Sequence, residues 1–168
     1  MSNYILQYKL LRFEQDILDE NQNIIGHVNR YVGNIGQFFG RFIEPSSVLN
    51  IKVENEKREL VLQLKVVSRF LVVKRRWVGI IYGKPDIYFD LILHPKLKIG
   101  FFMELQINDK TILVQDRTIG TEPHFLDSDN NILVKCRDNL VGKVHMNIID
   151  PELNVYLVAA ITYLIRQY

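Results

Sequence analysis

The chain has a single cysteine, Cys136, so no internal disulfide can form. Its opening residues, "MSNYILQYKLLRFEQ", contain no apolar core of signal-peptide length, and both features predict an intracellular, cytoplasmic protein. Strong charge of either sign is also lacking: 21 Lys and Arg stand against 19 Asp and Glu, a net of +2 that excludes a global signal for nucleic acid. No Gly/Ser/Pro-rich linker interrupts the 168 residues, and the five prolines (Pro45, Pro85, Pro95, Pro123, Pro151) are spread as loop punctuation. One domain, residues 1–168, is therefore expected.

Signatures of chemistry are missing too. The four histidines, His27, His94, His124 and His145, share no metal spacing with one another or with Cys136, and neither HExxH nor CxxC occurs. The stretch "GNIGQFFG", Gly33 to Gly40, lacks the GxGxxG spacing of a dinucleotide loop and reads as a partly apolar loop whose Phe38 and Phe39 suit a barrel plug or a partner contact. Paired carboxylates sit in exposed turns, where nothing raises a pKa for acid catalysis. No cofactor is expected, and an enzyme is not the favoured reading.

What is present is a period of two. Ile99, Phe101, Met103, Leu105 and Ile107 alternate with Gly100, Phe102, Glu104, Gln106 and Asn108, as a half-buried strand requires. Leu60, Leu62, Leu64 and Val66 repeat the pattern, as do Ile87, Phe89, Leu91 and Leu93, and Val144, Met146 and Ile148. Polar turns separate these runs: "DENQN" (Asp19 to Asn23), "ENEKRE" (Glu54 to Glu59), "NDK" (Asn108 to Lys110) and "DSDNN" (Asp127 to Asn131). Two turns belong to an internal echo, "ILDENQNIIGHV" from Ile17 and "FLDSDNNILVKC" from Phe125, which suggests a hairpin unit used more than once. Many short strands with regular turns indicate a sandwich or a barrel.

The last segment, "NVYLVAAITYLIRQY", breaks the alternation: Leu153 to Ile165 is apolar at almost every position. Before it, "DPE" offers Asp150 as N-cap, Pro151 at the first helical position and Glu152 near the positive dipole end, and Arg166 suits the other end. A helix hydrophobic all round belongs inside a membrane or inside a protein. Crossing a bilayer takes roughly 20 apolar residues, more than this run supplies. A helix enclosed by the sheet is the leading expectation, with a membrane anchor and a buried strand as alternatives.

The hairpin "LDENQNIIG" (Leu18 to Gly26), the segment "NEKRELVLQLKV" (Asn55 to Val66) and the terminal apolar helix preceded by "NIID" resemble the tubby C-terminal-like superfamily, with its phospholipid scramblases, plant LURP-one-related proteins and small bacterial members. The resemblance implies a mainly β fold, an antiparallel twelve-stranded barrel with strands over about residues 4–149 enclosing a C-terminal helix over about residues 151–166. It also implies an affinity for phosphoinositides through basic surface residues, and in its scramblase branch an association with calcium and membranes. The scramblase acidic stretch corresponds to "CRDNLVGKV", where only Asp138 and Asn139 match it, and the palmitoylated cysteine clusters of that branch are missing.

The sharpest local asymmetry is basic. From Leu60 to Pro85 no acidic residue occurs, while Arg69, Lys74, Arg75, Arg76 and Lys84 accompany Lys65, and "VVKRRWVG" sets three cations against Trp77. Clustered cations contribute about 1 kcal/mol each towards anionic lipid, and Trp suits a membrane interface. Arg69, Lys74, Arg75, Arg76, Trp77 and Lys84 are thus the candidate ligand-binding residues. The bland reading is a solvated edge strand protected by its charges with Trp77 packed inward. Asp127, Asp129 and Asn131 occupy the first, third and fifth places of a calcium loop, but Ile132 stands where Gly belongs and Asp138 where a bidentate Glu belongs, so they are weak metal candidates and a hairpin turn accounts for them.

The sequence thus predicts a non-catalytic binding module for anionic phospholipid headgroups or another phosphorylated ligand, cytoplasmic or peripheral at a membrane. The rivals are a structural or protein-interaction domain that meets a partner through strand edges or the Gly33 to Gly40 loop, and a scramblase-like membrane protein. Nucleic acid is not an expected partner, because aromatic interleaving is too sparse. With a helix at its centre, the barrel is expected to hold no large internal cavity.

Overall fold

The structure, a computed structural model, describes residues 1–9, 14–33, 50–67, 75–94, 102–116, 122–139 and 142–167. Twelve strands follow in order: β1 (Ser2–Gln7), β2 (Glu14–Leu18), β3 (Ile24–Tyr31), β4 (Asn50–Asn55), β5 (Leu60–Val66) and β6 (Arg75–Ile81). β7 (Ile87–His94), β8 (Phe102–Ile107), β9 (Lys110–Asp116), β10 (Pro123–Leu126), β11 (Ile132–Asn139) and β12 (Lys143–Ile148) complete the sheet, and a helix α1 (Val155–Ile165) ends the series. Each strand pairs antiparallel with its neighbour in sequence, and β1 pairs with β12 from Ser2↔Ile148 to Gln7↔Lys143, which closes the barrel. The expected twelve-stranded antiparallel barrel around a C-terminal helix is what forms. Closure removes the strand edges that a partner would extend, so recognition through an edge has no site among the described strands.

Period-two alternation sorts the side chains as it predicts, except at Leu60, which the register shift beside it leaves 40% exposed. Leu62 and Leu64, Phe89 and Leu91, Met103 and Leu105, and Val144, Met146 and Ile148 all point inward and are buried. Ile99, Gly100 and Phe101 lie outside the described residues.

Three connections share one geometry. In β2–β3, Asp19 N–H donates to Asn23 O at 3.0 Å, and the Asp19 carboxylate accepts from the N–H groups of Asn21 and Asn23. In β10–β11, Asp127 and Asn131 repeat every one of these bonds, with Asn131 Nδ2 donating to Asp127 Oδ2 at 2.8 Å. The β4–β5 turn does so with Asn55 and Glu59 in those roles. Gln22, Arg58 and Asn130 take the left-handed conformation, φ 66°, 65° and 64°, at equivalent places, and each hairpin carries a register shift beside it. The echo noticed in sequence is therefore a true structural repeat. A third copy is hidden, because Asn55 and Glu59 replace Asp and Asn.

The helix starts later than the "DPE" signal suggests. Asn154, not Asp150, is the N-cap, its Oδ1 accepting from Tyr156 N–H at 2.8 Å and Leu157 N–H at 3.3 Å. Asp150 serves a preceding turn, in which its side chain accepts from Glu152 N–H and its carbonyl from Leu153 N–H. A carboxylate satisfied by that turn cannot also cap the helix four residues on. At the other end Arg166 pairs with Asp138 and lies over the Tyr8 ring, 4.4 Å from its centroid.

Every residue from Leu157 to Ile165 is buried, so α1 is the centre of the core. It does not sit on the barrel axis. Its nearest strands are β1, β3, β4, β5 and β12, and Gly26 on β3 permits the approach: a Cβ there would stand 2.7 Å from Glu54 O and 2.9 Å from Tyr156 Cε1. Tyr156 closes the contact by donating its hydroxyl to Ile25 O at 3.1 Å. The opposite wall is filled from the strands by larger side chains, Trp77, Phe89, Met103, Leu105 and Phe125. Gly79 leaves the space over which the cross-strand Phe89 ring lies.

Candidate functional site

An up-and-down barrel has two unlike ends. Five short turns, β2–β3, β4–β5, β6–β7, β8–β9 and β10–β11, lie at one end with the β12–α1 connection and the N-terminus of α1; the β1–β2, β3–β4, β5–β6, β7–β8, β9–β10 and β11–β12 connections leave from the end that holds Arg166. This polarity decides which predicted site residues can act together.

Arg69 and Lys74 lie outside the described residues, as do residues 34–40 of the Gly33 to Gly40 loop. The chain that carries Arg69 and Lys74 leaves β5 and enters β6 at adjacent points, since Val67 N–H donates to Arg76 O at 2.9 Å. Arg76 points outward, and its guanidinium forks onto Asp90 of β7, Nε to Oδ1 and Nη2 to Oδ2 both at 3.0 Å. Arg75 belongs to the inward-facing series of β6, half-buried at the barrel mouth. On the outer face, Lys65 pairs in register with Val78, and Val67 and Val78 expose 50% and 38% of their surface beside these cations.

Two candidates separate from this group. Trp77 has no exposed surface: it is a core residue of the wall facing α1, and a membrane-interface role for it is ruled out by burial. The reason is parity, because Trp77 shares the inward face with Gly79 and Ile81. Lys84 lies in the β6–β7 turn, at the far end of β6 from Arg75, so it cannot join the same contact.

The calcium-like residues are a turn. Both carboxylate oxygens of Asp127 accept from the backbone or side chain of Asp129 and Asn131, and these bonds hold its pKa below the ordinary aspartate value. Cys136 is buried against Thr162, and desolvation raises its thiol pKa to about 12, which leaves it unreactive at neutral pH.

Sequence reasoning missed an ion-pair network on the outer face of β1 to β4. Glu14, Asp16 and His27 bring ligand-type atoms within 4.8 Å of one another, a possible cation site by geometry. Protein cations already occupy it: Lys9 Nζ lies 2.5 Å from Asp16 Oδ2, and Arg58 donates to both oxygens of Glu14 at 2.6 and 3.1 Å. His27 Nδ1 stands 3.0 Å from Asp16. The network ties β2 and β3 to the segment that follows β1 and to the β4–β5 turn. Sequence offers no signal for it, since Arg58 and Glu14 are separated by 44 positions.

The Arg58 hydrogen bonds hold the Glu14 pKa down at about 2. A carboxyl whose folded pKa lies below its unfolded value contributes stability that is present above the unfolded pKa and lost as pH falls towards the folded one. Glu14→Gln should therefore destabilise the protein at about pH 7, and the gap to the wild type should shrink steadily between about pH 4.5 and pH 2. Urea unfolding of both proteins across that range checks it, and a gap that does not change with pH would remove Glu14 from the network.

A closed antiparallel β-barrel threaded by an apolar helix is the class of protein that this fold defines. No helix among the described residues is long and apolar enough to cross a membrane. The family model of the Tubby C-terminal-like domain matches residues 6–168, and the chain belongs to that family. Comparison with curated proteins and with solved structures gives no match.

Proposed function

We propose that this chain is a non-catalytic binding module for anionic phospholipid headgroups, or for another phosphorylated ligand, and that the connection between β5 and β6 makes the contact. The observation that carries this reading is the clamp between Val67 N–H and Arg76 O, which gathers the two ends of a segment bearing Arg69 and Lys74. Together with Arg75 and the nearby Lys65, it is a stretch in which no acid occurs from Leu60 to Pro85. Arg76, forked by Asp90, contributes geometry more than net charge. Exposed Val67 and Val78 beside the cations suit a surface that is charged at the headgroups and apolar just beneath. Family membership supports the same reading.

The test is co-sedimentation with vesicles containing phosphoinositide. Binding should weaken with salt. Reversing two cations in Arg69→Glu/Lys74→Glu should reduce it by at least about 30-fold, from about 1 kcal/mol for each cation lost. Lys84→Glu, at the opposite end, should bind as the wild type does. Absence of vesicle binding, or its survival in the double variant, would favour the protein-interaction reading instead.

A further inference from the structure

The off-centre helix leaves space at one mouth of the barrel, on the side away from β3 and β4. A cavity of about 760 Å³ opens at the short-turn end, between the first turn of α1 and the strands from β6 to β11. Its size falls within the roughly 300–1,000 Å³ of small-molecule pockets, and barrel mouths are a preferred place for them. The expectation from sequence is a helix-filled barrel without a large internal cavity. It fails at this mouth, because α1 begins only at Val155 and leans towards β3 and β4.

The lining has two zones. Ile81, Ile87, Ile107, Ile112 and Leu157 make an apolar floor. Around it, Asp109, Asp127, Asp150 and Glu152 set four carboxylates against one ammonium, that of Lys110. That ammonium is paired with one of the four, Lys110 Nζ lying 2.5 Å from Glu152 Oε2, which leaves the charges of Asp109, Asp127 and Asp150 in excess at the rim. An anion would ordinarily be drawn to the start of a helix, but here the N–H groups of Tyr156 and Leu157 that would receive it are taken by Asn154.

We propose that this mouth binds a small amphiphile with a compact apolar body and a cationic ammonium or guanidinium head, the body on the isoleucine floor and the head among the rim carboxylates. The charge selection is opposite to that proposed for the β5–β6 connection, and the two sites lie at opposite ends of the barrel. They can be tested separately.

The experiment uses three probes with one rigid hydrocarbon cage, adamantylammonium, adamantanol and adamantanecarboxylate, titrated into protein carrying labelled isoleucine methyl groups. Shifts should concentrate at Ile81, Ile87, Ile107 and Ile112, and the ammonium should bind about tenfold more tightly than the carboxylate. Asp109→Asn/Glu152→Gln should lower ammonium affinity while leaving adamantanol affinity unchanged. Ile87→Trp, a half-buried floor position, should exclude all three probes. Should this variant fail to fold, the head-group series and the rim variant still decide. The proposal is overturned if the carboxylate binds as well as the ammonium, or if no probe moves the floor methyls. Vesicle binding by the rim variant should match the wild type in either case.

Discussion

Ala160→Arg is expected to leave the chain unfolded. Ala160 has no exposed surface and sits mid-helix, flanked by Ala159 and Ile161, which are equally buried. Arginine there must place a guanidinium in the hydrophobic core cluster to which Ala160 belongs, and it must also fit a large side chain into a site sized for a methyl group. Burying an unpaired charge and overpacking are separate penalties, and together they exceed about 5 kcal/mol, comparable with the whole stability of a typical domain. Circular dichroism and methyl dispersion in the proton NMR spectrum would show the loss directly. A folded variant with an unchanged melting temperature would mean that α1 lies outside the barrel, reopening a membrane role for the helix.

The second large effect comes from β3. Gly26→Val should destabilise the fold by about 3 kcal/mol, because the added atoms meet groups that cannot easily give way. One obstacle is the Glu54 carbonyl, part of the β3–β4 ladder, and the other is the Tyr156 ring at the start of α1. Relief requires pushing the helix off its wall or parting two strands. Tyr156→Ala in the same chain should recover part of the loss, leaving only the carbonyl clash, and chemical unfolding of the single and double variants measures the difference. Equal stability of Gly26→Val and wild type would show that the helix does not need this close approach.

These two residues mark what sequence could and could not reveal. Ala159 and Ala160 were legible, because a run apolar on every side has only an interior to occupy. The role of Gly26 was not, since it depends on which strand the helix leans against, a consequence of ring closure and not of any local pattern. Strands such as β7 and β12 are legible from alternation, whereas β6 is obscured: Val78 and Ile80 are apolar on its outer face as Trp77 and Ile81 are on its inner face. With both faces apolar, periodicity says nothing about where Trp77 points, and the basic candidates inherited that ambiguity. The helix start is ambiguous in sequence because Asp-Pro is as good a turn signal as a cap. The mouth cavity could not be read at all, for its lining comes from turns and strand ends far apart in the chain.

The closing pair has a kinetic consequence. Every other pairing in the ring joins consecutive strands, so its contacts can form early and locally, as hairpins growing one upon another. Only β1 with β12, and the helix with its wall, bring together residues separated by most of the chain. During synthesis the first strand must wait, its backbone donors and acceptors unpaired on one side, until residues 143–148 emerge. The apolar residues of α1 that follow them arrive later still. The loop-closure cost is thus small for each consecutive hairpin and large for ring closure and helix capture, so this topology favours the hairpins early and the closing contacts late.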